Sequence, residues 1–136
     1  MARILAIDYG GKRTGMAWTD EFQISINPLD TVETGQLESA IADLVSTDQV
    51  SDIVIGLPTH SDGQLTKIGH KVVDLKKKLE KKYINIEVHT IDEAFTSQRA
   101  RQMMVHLGTK KKQRRVKENL DKMSAVLILK DFIDSQ

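Results

Sequence analysis

The stretch that decides the predicted fold is residues 3–20, RILAIDYGGKRTGMAWTD. Its first half contains four consecutive apolar residues, a run typical of a short strand buried on both faces. The run ends at Asp8, whose carboxylate is costly to bury without a partner, although Asp8 also fits an ordinary turn residue. The Gly-Gly pair that follows predicts a two-residue hairpin turn, and residues 14–19 predict a returning strand. We therefore expect a central strand with an acid at its tip, followed by a hairpin.

The composition of the 136-residue chain is that of an ordinary soluble protein, with 40% apolar and 29% charged residues. This length predicts one domain, residues 1–136, with a sizeable core. No apolar run reaches membrane-spanning length and the N-terminus lacks a signal-peptide pattern, so we expect no membrane partner. Because the chain has no cysteine, disulfides and thiolate metal sites are excluded. This composition is compatible with the cytoplasm, which is the expected location.

Positive charge is concentrated in one segment, although the net charge is only +1. Without the six positive charges of this segment, the rest of the chain has a net charge of −5. Such a distribution suggests a polyanion bound at one surface, but a solvated loop without a partner explains a short charge run equally well. The basic segment, within residues 110–117, consists of Lys110, Lys111, Lys112, Arg114, Arg115 and Lys117.

The remaining elements alternate in a way that predicts an α/β fold with a mixed five-stranded sheet and helices on both faces. The lysine-rich side of the second helix is interpreted as a solvated face, because acids are interspersed among the lysines. The predicted elements are a third strand within 22–32 that has an edge or break at Pro28, a helix at 36–47, a strand at 52–57, a helix that begins at a Ser61–Gln64 capping box, a strand at 84–91, a helix from 96 or 97 to 107, and a buried helix at about 118–133.

Several carboxylates are predicted to approach one another at the edge of this sheet. Asp8 ends the first strand, and Asp92 and Glu93 end the last one. The carboxyl ends of parallel strands share one edge, where such sheets place their ligands. Asp121 lies in the first turn or so of the final helix, with small residues on the same helical face. Each acid alone also fits a simpler role: Asp121 as a helix N-terminal residue favoured by the dipole, and Asp92 and Glu93 as loop residues.

Carboxylates that share a site repel one another unless a cation holds them together. With no cysteine and no histidine pair at ligand spacing, the favoured ion is oxygen-loving, Mg²⁺ or Mn²⁺. Sites of this kind commonly serve phosphoryl chemistry. The basic segment just before Asp121 would then hold a phosphate backbone without reading its sequence. The combined pattern predicts metal-dependent chemistry on nucleic acid.

Four segments of the chain resemble the motifs of the YqgF family, in the same order and at the same spacing, over nearly the whole chain. The four segments are Ile7-Asp8-Tyr9-Gly10 with KRTGMA at 12–17, IGLP at 55–58 followed by Asp62-Gly63, DEAFTS at 92–97, and DKMSA at 121–125 leading into Ile128-Leu129.

This resemblance implies the RNase H-like fold of that family, which is related to the RuvC-type Holliday junction resolvases. It implies an endonuclease that matures the 5′ end of precursor 16S rRNA. It also implies that Asp8, Asp121 and one acid of the Asp92-Glu93 pair bind the divalent metal. Glu93 is preferred, because related domains more often keep the glutamate.

One position departs from the family pattern. The third motif usually has an arginine after its two acids, and this chain has Ala94 there. Arg99, Arg101 or the basic segment would have to take its place, or the activity would be weaker. Lys12 and Arg13 remain close to Asp8 in the sequence and are expected to contact phosphate, although exposed turn residues would look the same.

The preferred interpretation is therefore a metal-dependent endonuclease acting on structured RNA. The first alternative is a Holliday junction resolvase acting on branched DNA, which a homodimer would favour because two symmetric cuts need two sites. The second alternative is a non-catalytic nucleic-acid-binding module; the intact acids argue against it and Ala94 leaves room for it. The sequence leaves open whether the protein is a monomer or a homodimer.

Overall fold

The computed structural model describes residues 2–58, 66–92 and 113–136, with the side chains of the last range described from Met123 onward. Among these residues, no helix is both long and apolar enough to span a bilayer. The strands are β1 (Arg3–Asp8), β2 (Arg13–Thr19), β3 (Ile26–Pro28), β4 (Val32–Glu33), β5 (Val50–Leu57) and β6 (Glu87–Asp92), and the helices are α1 (Leu37–Thr47), α2 (Lys67–Lys82) and α3 (Gln113–Asp134).

The strands form a mixed sheet in the order β3-β2-β1-β5-β6, with β4 paired to β2. β1 pairs antiparallel with β2 and parallel with β5, and β5 pairs parallel with β6. The hairpin therefore supplies the antiparallel half of the sheet, and the crossover connections supply the parallel half. The predicted mixed sheet is confirmed; its sixth strand is the two-residue β4.

Helices cover both faces of the sheet, because the central strand is apolar on both sides. Leu5 and Ile7 point into a cluster with residues of α1 and α2, and Ile4 and Ala6 point into a second cluster with residues of α3. We call these two sides the α1/α2 face and the α3 face. A strand alternates its side chains between the two faces, so the continuous apolar run of β1 fits a strand buried on both.

The final helix is longer than predicted and is as well buried as expected. It begins at Gln113 rather than near 118. Across 124–129 only Val126 is less than fully buried, because this stretch packs over β1 and β2. The predicted helix at 96–107 lies outside the described residues.

The predicted edge or break at Pro28 is confirmed, whereas two further predicted starts are wrong because of hydrogen bonds that sequence periodicity does not report. The edge strand β3 ends at Pro28, and the chain pairs with β2 again only at β4. β6 begins at Glu87 rather than 84, because the Ile86 N–H donates to the Tyr83 carbonyl and closes a turn that leaves Ile84 exposed. The N-cap of α2 is Thr66, whose hydroxyl accepts the Gly69 N–H at 2.9 Å; Ser61 and Gln64 lie outside the described residues.

Candidate active site

Asp8 lies at the carboxyl end of β1 and is half-buried. It alternates with Ile4 and Ala6, which belong to the α3 cluster, so its side chain is on the α3 face. On β2 the residue paired with Asp8 is Gly15. On β5, the position next to Asp8 is Gly56, which follows the Ile7–Ile55 pair by one residue. The two lateral neighbours of this carboxylate therefore carry no side chain.

Asp92 lies at the same edge of the sheet as Asp8 but on the other face. It is the last residue of β6, where it pairs with Leu57, and it is exposed. Asp92 alternates with Val88, which belongs to the α1/α2 cluster, so its side chain is on the α1/α2 face. β5 lies between β1 and β6, which separates the two strands by about 10 Å. The structure therefore does not bring Asp92 and Asp8 together on one face.

The structure describes only some of the other predicted site residues. Glu93 and the lysines at 110–112 lie outside the described residues. Asp121 belongs to α3, one turn before the buried Ser124 and Ala125, and its side chain is likewise outside the description. The same holds for the side chains of Arg114, Arg115 and Lys117, which belong to the first turns of α3. Lys12 and Arg13 are exposed beside the β1–β2 connection.

The connection after Asp8 spans residues 9–12, so it is longer than the predicted two-residue turn. A closed ring of hydrogen bonds holds it. The buried Thr14 hydroxyl donates to Thr34 Oγ1 at 2.9 Å, the Thr34 hydroxyl donates to the Gly10 carbonyl at 2.6 Å, and the Gly10 N–H donates to Thr14 Oγ1 at 3.5 Å. The Thr34 N–H also donates to the Lys12 carbonyl at 2.9 Å.

This ring ties the loop behind Asp8 to the 3₁₀ turn that precedes α1. Sequence reasoning missed the role of Thr14 and Thr34, which are 20 residues apart. No local pattern joins two threonines at that separation; only the packing of β4 beside β2 brings them together.

Gly10 is required by this geometry, which gives a first testable prediction. A Cβ added at Gly10 would overlap the Arg13 carbonyl oxygen, so the backbone of the loop would have to move. We expect Gly10→Ala to lower the free energy of unfolding by about 1–3 kcal/mol. Gly35→Ala is the matched control, because a Cβ there meets nothing within 4 Å. Urea unfolding of both variants measures the difference, and equal stabilities would contradict the prediction.

One cluster among the described residues has the donors for a metal ion, and it lies away from Asp8. Donor atoms of Asp52, Glu87 and His89 all lie within 4.8 Å of one another. His89 Nε2 is 2.9 Å from Asp52 Oδ2 and 3.6 Å from Glu87 Oε2, and the His89 ring packs against Phe132 at 4.8 Å between centroids. No local sequence pattern assigns these residues a role, since their proximity depends on the register between β5 and β6.

This cluster is on the α3 face but nearer the amino ends of the strands. Asp52 precedes Gly56 by four residues, or about 13 Å along the strand. The cluster is therefore not part of the predicted group formed by Asp8, Asp121 and the acid pair.

The turn between β2 and β3 contains a carboxylate with a shifted pKa. The backbone N–H groups of Ser25 and Ile24 donate to Asp20 Oδ1 at 2.9 and 2.6 Å. The Ser25 N–H has the larger effect, and together these bonds lower the pKa of Asp20, because they favour the charged form. This turn follows the last residue of β2, at the opposite end of that strand from the pairing with Asp8, so Asp20 takes no part in the candidate site.

Comparison with protein families gives a match over almost the entire chain. The model of the RuvX family, described as Holliday junction resolvase, matches residues 2–135. A relative from Phocaeicola vulgatus is 43% identical over 136 residues, which covers 100% of this chain and 98% of the relative. A relative from Bacteroides thetaiotaomicron is 38% identical over 136 residues and covers 100% of this chain and 99% of the relative. Both are named "Putative pre-16S rRNA nuclease".

Solved structures show the same fold. RuvC from T. thermophilus, determined in complex with a Holliday junction substrate, has a TM-score of 0.56 and 13% identity over 99% of this chain and 96% of that chain. YeaZ from Pseudomonas aeruginosa has a TM-score of 0.50 and 17% identity over 77% of this chain and 50% of that chain. The likeness to RuvC confirms the predicted RNase H-like α/β fold.

Proposed function

Because this chain belongs to the RuvX family, we propose that it is a metal-dependent endonuclease that cleaves precursor 16S rRNA at its 5′ end during ribosome biogenesis. The observation that carries this proposal is the position of Asp8. It is a half-buried carboxylate at the carboxyl end of the central strand, on the face covered by α3. That edge is where open α/β sheets place their active sites. In this proposal residues 1–136 form one catalytic domain that acts in the cytoplasm.

Asp8, Glu93 and Asp121 are the proposed ligands of a divalent cation, Mg²⁺ or Mn²⁺. Their donor atoms are all carboxylate oxygens, which these hard cations prefer. Between the two adjacent acids we choose Glu93, because β6 directs Asp92 to the face opposite Asp8. The cation supplies the activation of an attacking water and the stabilisation of the leaving oxygen. The carboxylates orient it and keep it at the edge of the sheet.

Cationic side chains near this edge are proposed to hold the RNA. Lys12 and Arg13 are exposed beside the loop that follows Asp8. The basic segment precedes Asp121, and its phosphate contacts would add affinity without reading the sequence. Since Ala94 replaces the usual arginine of the third motif, Arg99, Arg101 or the basic segment takes over contact with the cleaved phosphate.

A second candidate function is resolution of branched DNA, which the description of the matching family favours. The same carboxylates would serve either reaction, because the scissile group is a phosphodiester in both. The two functions differ in what the complex requires: resolution of a four-way junction needs two symmetric cuts and hence two active sites, so it requires a homodimer.

Cleavage assays with two substrates distinguish these functions. A precursor 16S rRNA fragment and a four-way DNA junction are each incubated with Mg²⁺, with Mn²⁺ and with a chelator. We expect metal-dependent cleavage of the RNA and none of the junction. Cleavage of the junction alone would replace the proposed function with the resolvase. Binding of either substrate without cleavage under every metal condition would identify a non-catalytic binding module.

A further inference from the structure

α2 carries the largest cluster of positive charge among the described residues. It contains seven lysines and two acids, so it contributes +5 to a chain whose net charge is +1. Without the net charge of +5 on α2 and the six positive charges of the basic segment, the rest of the chain has a net charge of −10. One of the two acids, Glu80, is paired with Lys76 at 3.5 Å. Among the described residues, the other α2 lysines have no carboxylate within 4.0 Å.

Four lysines share one side of the helix: Lys82, whose Nζ lies 5.5 Å from the centroid of the Tyr83 ring, and three residues nearer the start of the helix. Lys67, Lys71 and Lys78 are spaced by four and seven residues, which keeps them within a narrow sector of the helical circumference. We call these three residues the lysine flank. Lys77 and Lys81 are exposed as well, but Lys77 points about 100–120° and Lys81 about 60–80° away from Lys78 and Lys71. The side of α2 that carries Val72, Leu75 and Leu79 is buried against the sheet.

The lysine flank begins beside the candidate active site. The loop that follows Asp8 packs on the first turn of α2, since a Cβ added at Gly11 would lie 3.7 Å from Ile68 Cδ1. Lys71 and Lys78 line a groove of about 180 Å³ together with Tyr9, the residue after Asp8. From Lys67 to Lys78 the flank extends about 16 Å along the helix. It therefore leads away from the catalytic edge, across the α1/α2 face.

We propose that the lysine flank binds the phosphate backbone of the RNA that extends beyond the cleavage site. This inference rests on the proposed function, which places the cleaved phosphate at Asp8. Glu38 and Asp74 also line the groove and would repel phosphate inside it. The backbone therefore runs along the rim, where the long lysine stems carry their ammonium groups outward. RNA would thus contact both faces of the sheet, passing over the loop at 9–12.

The test compares two double variants of the full-length protein. Lys71→Gln/Lys78→Gln removes two charges of the flank, and Lys77→Gln/Lys81→Gln removes two exposed charges from the same helix outside it. Glutamine and lysine have similar helix propensities, so both variants should fold, which thermal unfolding checks. Binding of a precursor 16S rRNA fragment is measured in the presence of a chelator, over a range of salt concentrations, so that no cleavage intervenes.

We expect the flank variant to bind roughly tenfold more weakly at about 0.1 M salt, and the slope of log K against log salt to fall by about 2. The control variant should lose less than about twofold in affinity. A shorter RNA that ends at the cleavage site should bind wild type and flank variant equally. Equal losses of RNA affinity in the two variants would overturn the inference, because they would indicate that the lysines of α2 attract RNA by their total charge and not at a defined site. No loss in either variant, or no RNA binding by the wild type, would also overturn it.

These binding measurements, repeated with the four-way DNA junction and combined with the cleavage assays of the proposed function, separate this inference from that function. If the wild type binds the RNA but cleaves neither RNA nor junction, the nuclease proposal fails while the binding comparison still decides the role of the flank. If the flank variant is impaired only on the four-way DNA junction, RNA is the wrong partner. If the wild type cleaves RNA and both variants bind it normally, the nuclease proposal holds and the flank inference fails.

Discussion

Asp8→Asn is expected to reduce RNA cleavage by about a thousandfold or more while leaving the fold intact. A catalytic cation stabilises the transition state by several kcal/mol, and each 1.36 kcal/mol corresponds to a tenfold change in rate. Asparagine has nearly the same shape as aspartate but no negative charge, so it loses the attraction that holds the cation. Asp8 is half-buried between Gly15 and Gly56, and the replacement therefore fits without new contacts from either side.

Asp43→Asn is the matched control for this prediction, because it makes the same chemical change at an exposed position on α1. Both variants are compared in single-turnover cleavage at saturating Mg²⁺ and in thermal unfolding. We expect the control to cleave at the wild-type rate and both variants to unfold near the wild-type temperature. Cleavage by Asp8→Asn within about tenfold of wild type would exclude Asp8 as a metal ligand, since a lost ligand costs more than this.

The second large effect concerns the two adjacent acids at 92 and 93. Glu93→Gln is expected to reduce cleavage about as strongly as Asp8→Asn, whereas Asp92→Asn should stay within a few-fold of wild type. The reason is the alternation of β6. Asp92 shares the α1/α2 face with Val88, and Asp8 is on the α3 face, so the sheet lies between the two carboxylates.

These two variants are each other's controls, because each converts one carboxylate into its amide at neighbouring positions. Mn²⁺ binding measured by titration calorimetry adds a readout that does not depend on turnover. We expect Glu93→Gln to weaken Mn²⁺ binding and Asp92→Asn to leave it nearly unchanged. The opposite ranking in both measurements would make Asp92 the ligand and would mean that β6 twists its last residue toward α3.

Most of the fold follows from local patterns in the sequence. The apolar run before Asp8 predicts a strand buried on both faces, and β1 is such a strand, with Leu5, Ala6 and Ile7 fully buried. Helical spacing predicts α1 and the buried face of α2, and the structure has both helices. The errors occur where a single hydrogen bond, which hydrophobic periodicity does not report, sets a boundary. For example, β6 begins later than predicted because the Ile86 N–H donates to the Tyr83 carbonyl and closes a turn before the strand.

The chemistry of the site could be predicted only in outline. Asp8, Asp92 and Glu93 are recognisable because they follow buried strands, and the resemblance to the YqgF family adds their role as metal ligands, which the described residues do not test for Glu93 and Asp121. The choice between Asp92 and Glu93 needed the pairing of β5 with β6, since a shift of one residue moves every side chain to the opposite face. Likewise, nothing in the local sequence at 87–89 indicates that His89 Nε2 lies 2.9 Å from Asp52 Oδ2.

By itself, the sequence determined the element types, the mixed sheet and the position of an acid at the tip of the central strand. These depend on turn residues and on the periods of helix and strand, which are local properties of the chain. Only the tertiary structure decided which faces Asp8 and Asp92 occupy, that Thr14, Thr34 and Gly10 close a hydrogen-bonded ring behind Asp8, and that α2 begins against the same loop. These depend on strand register and packing between residues far apart in the chain, and no local period encodes either of them.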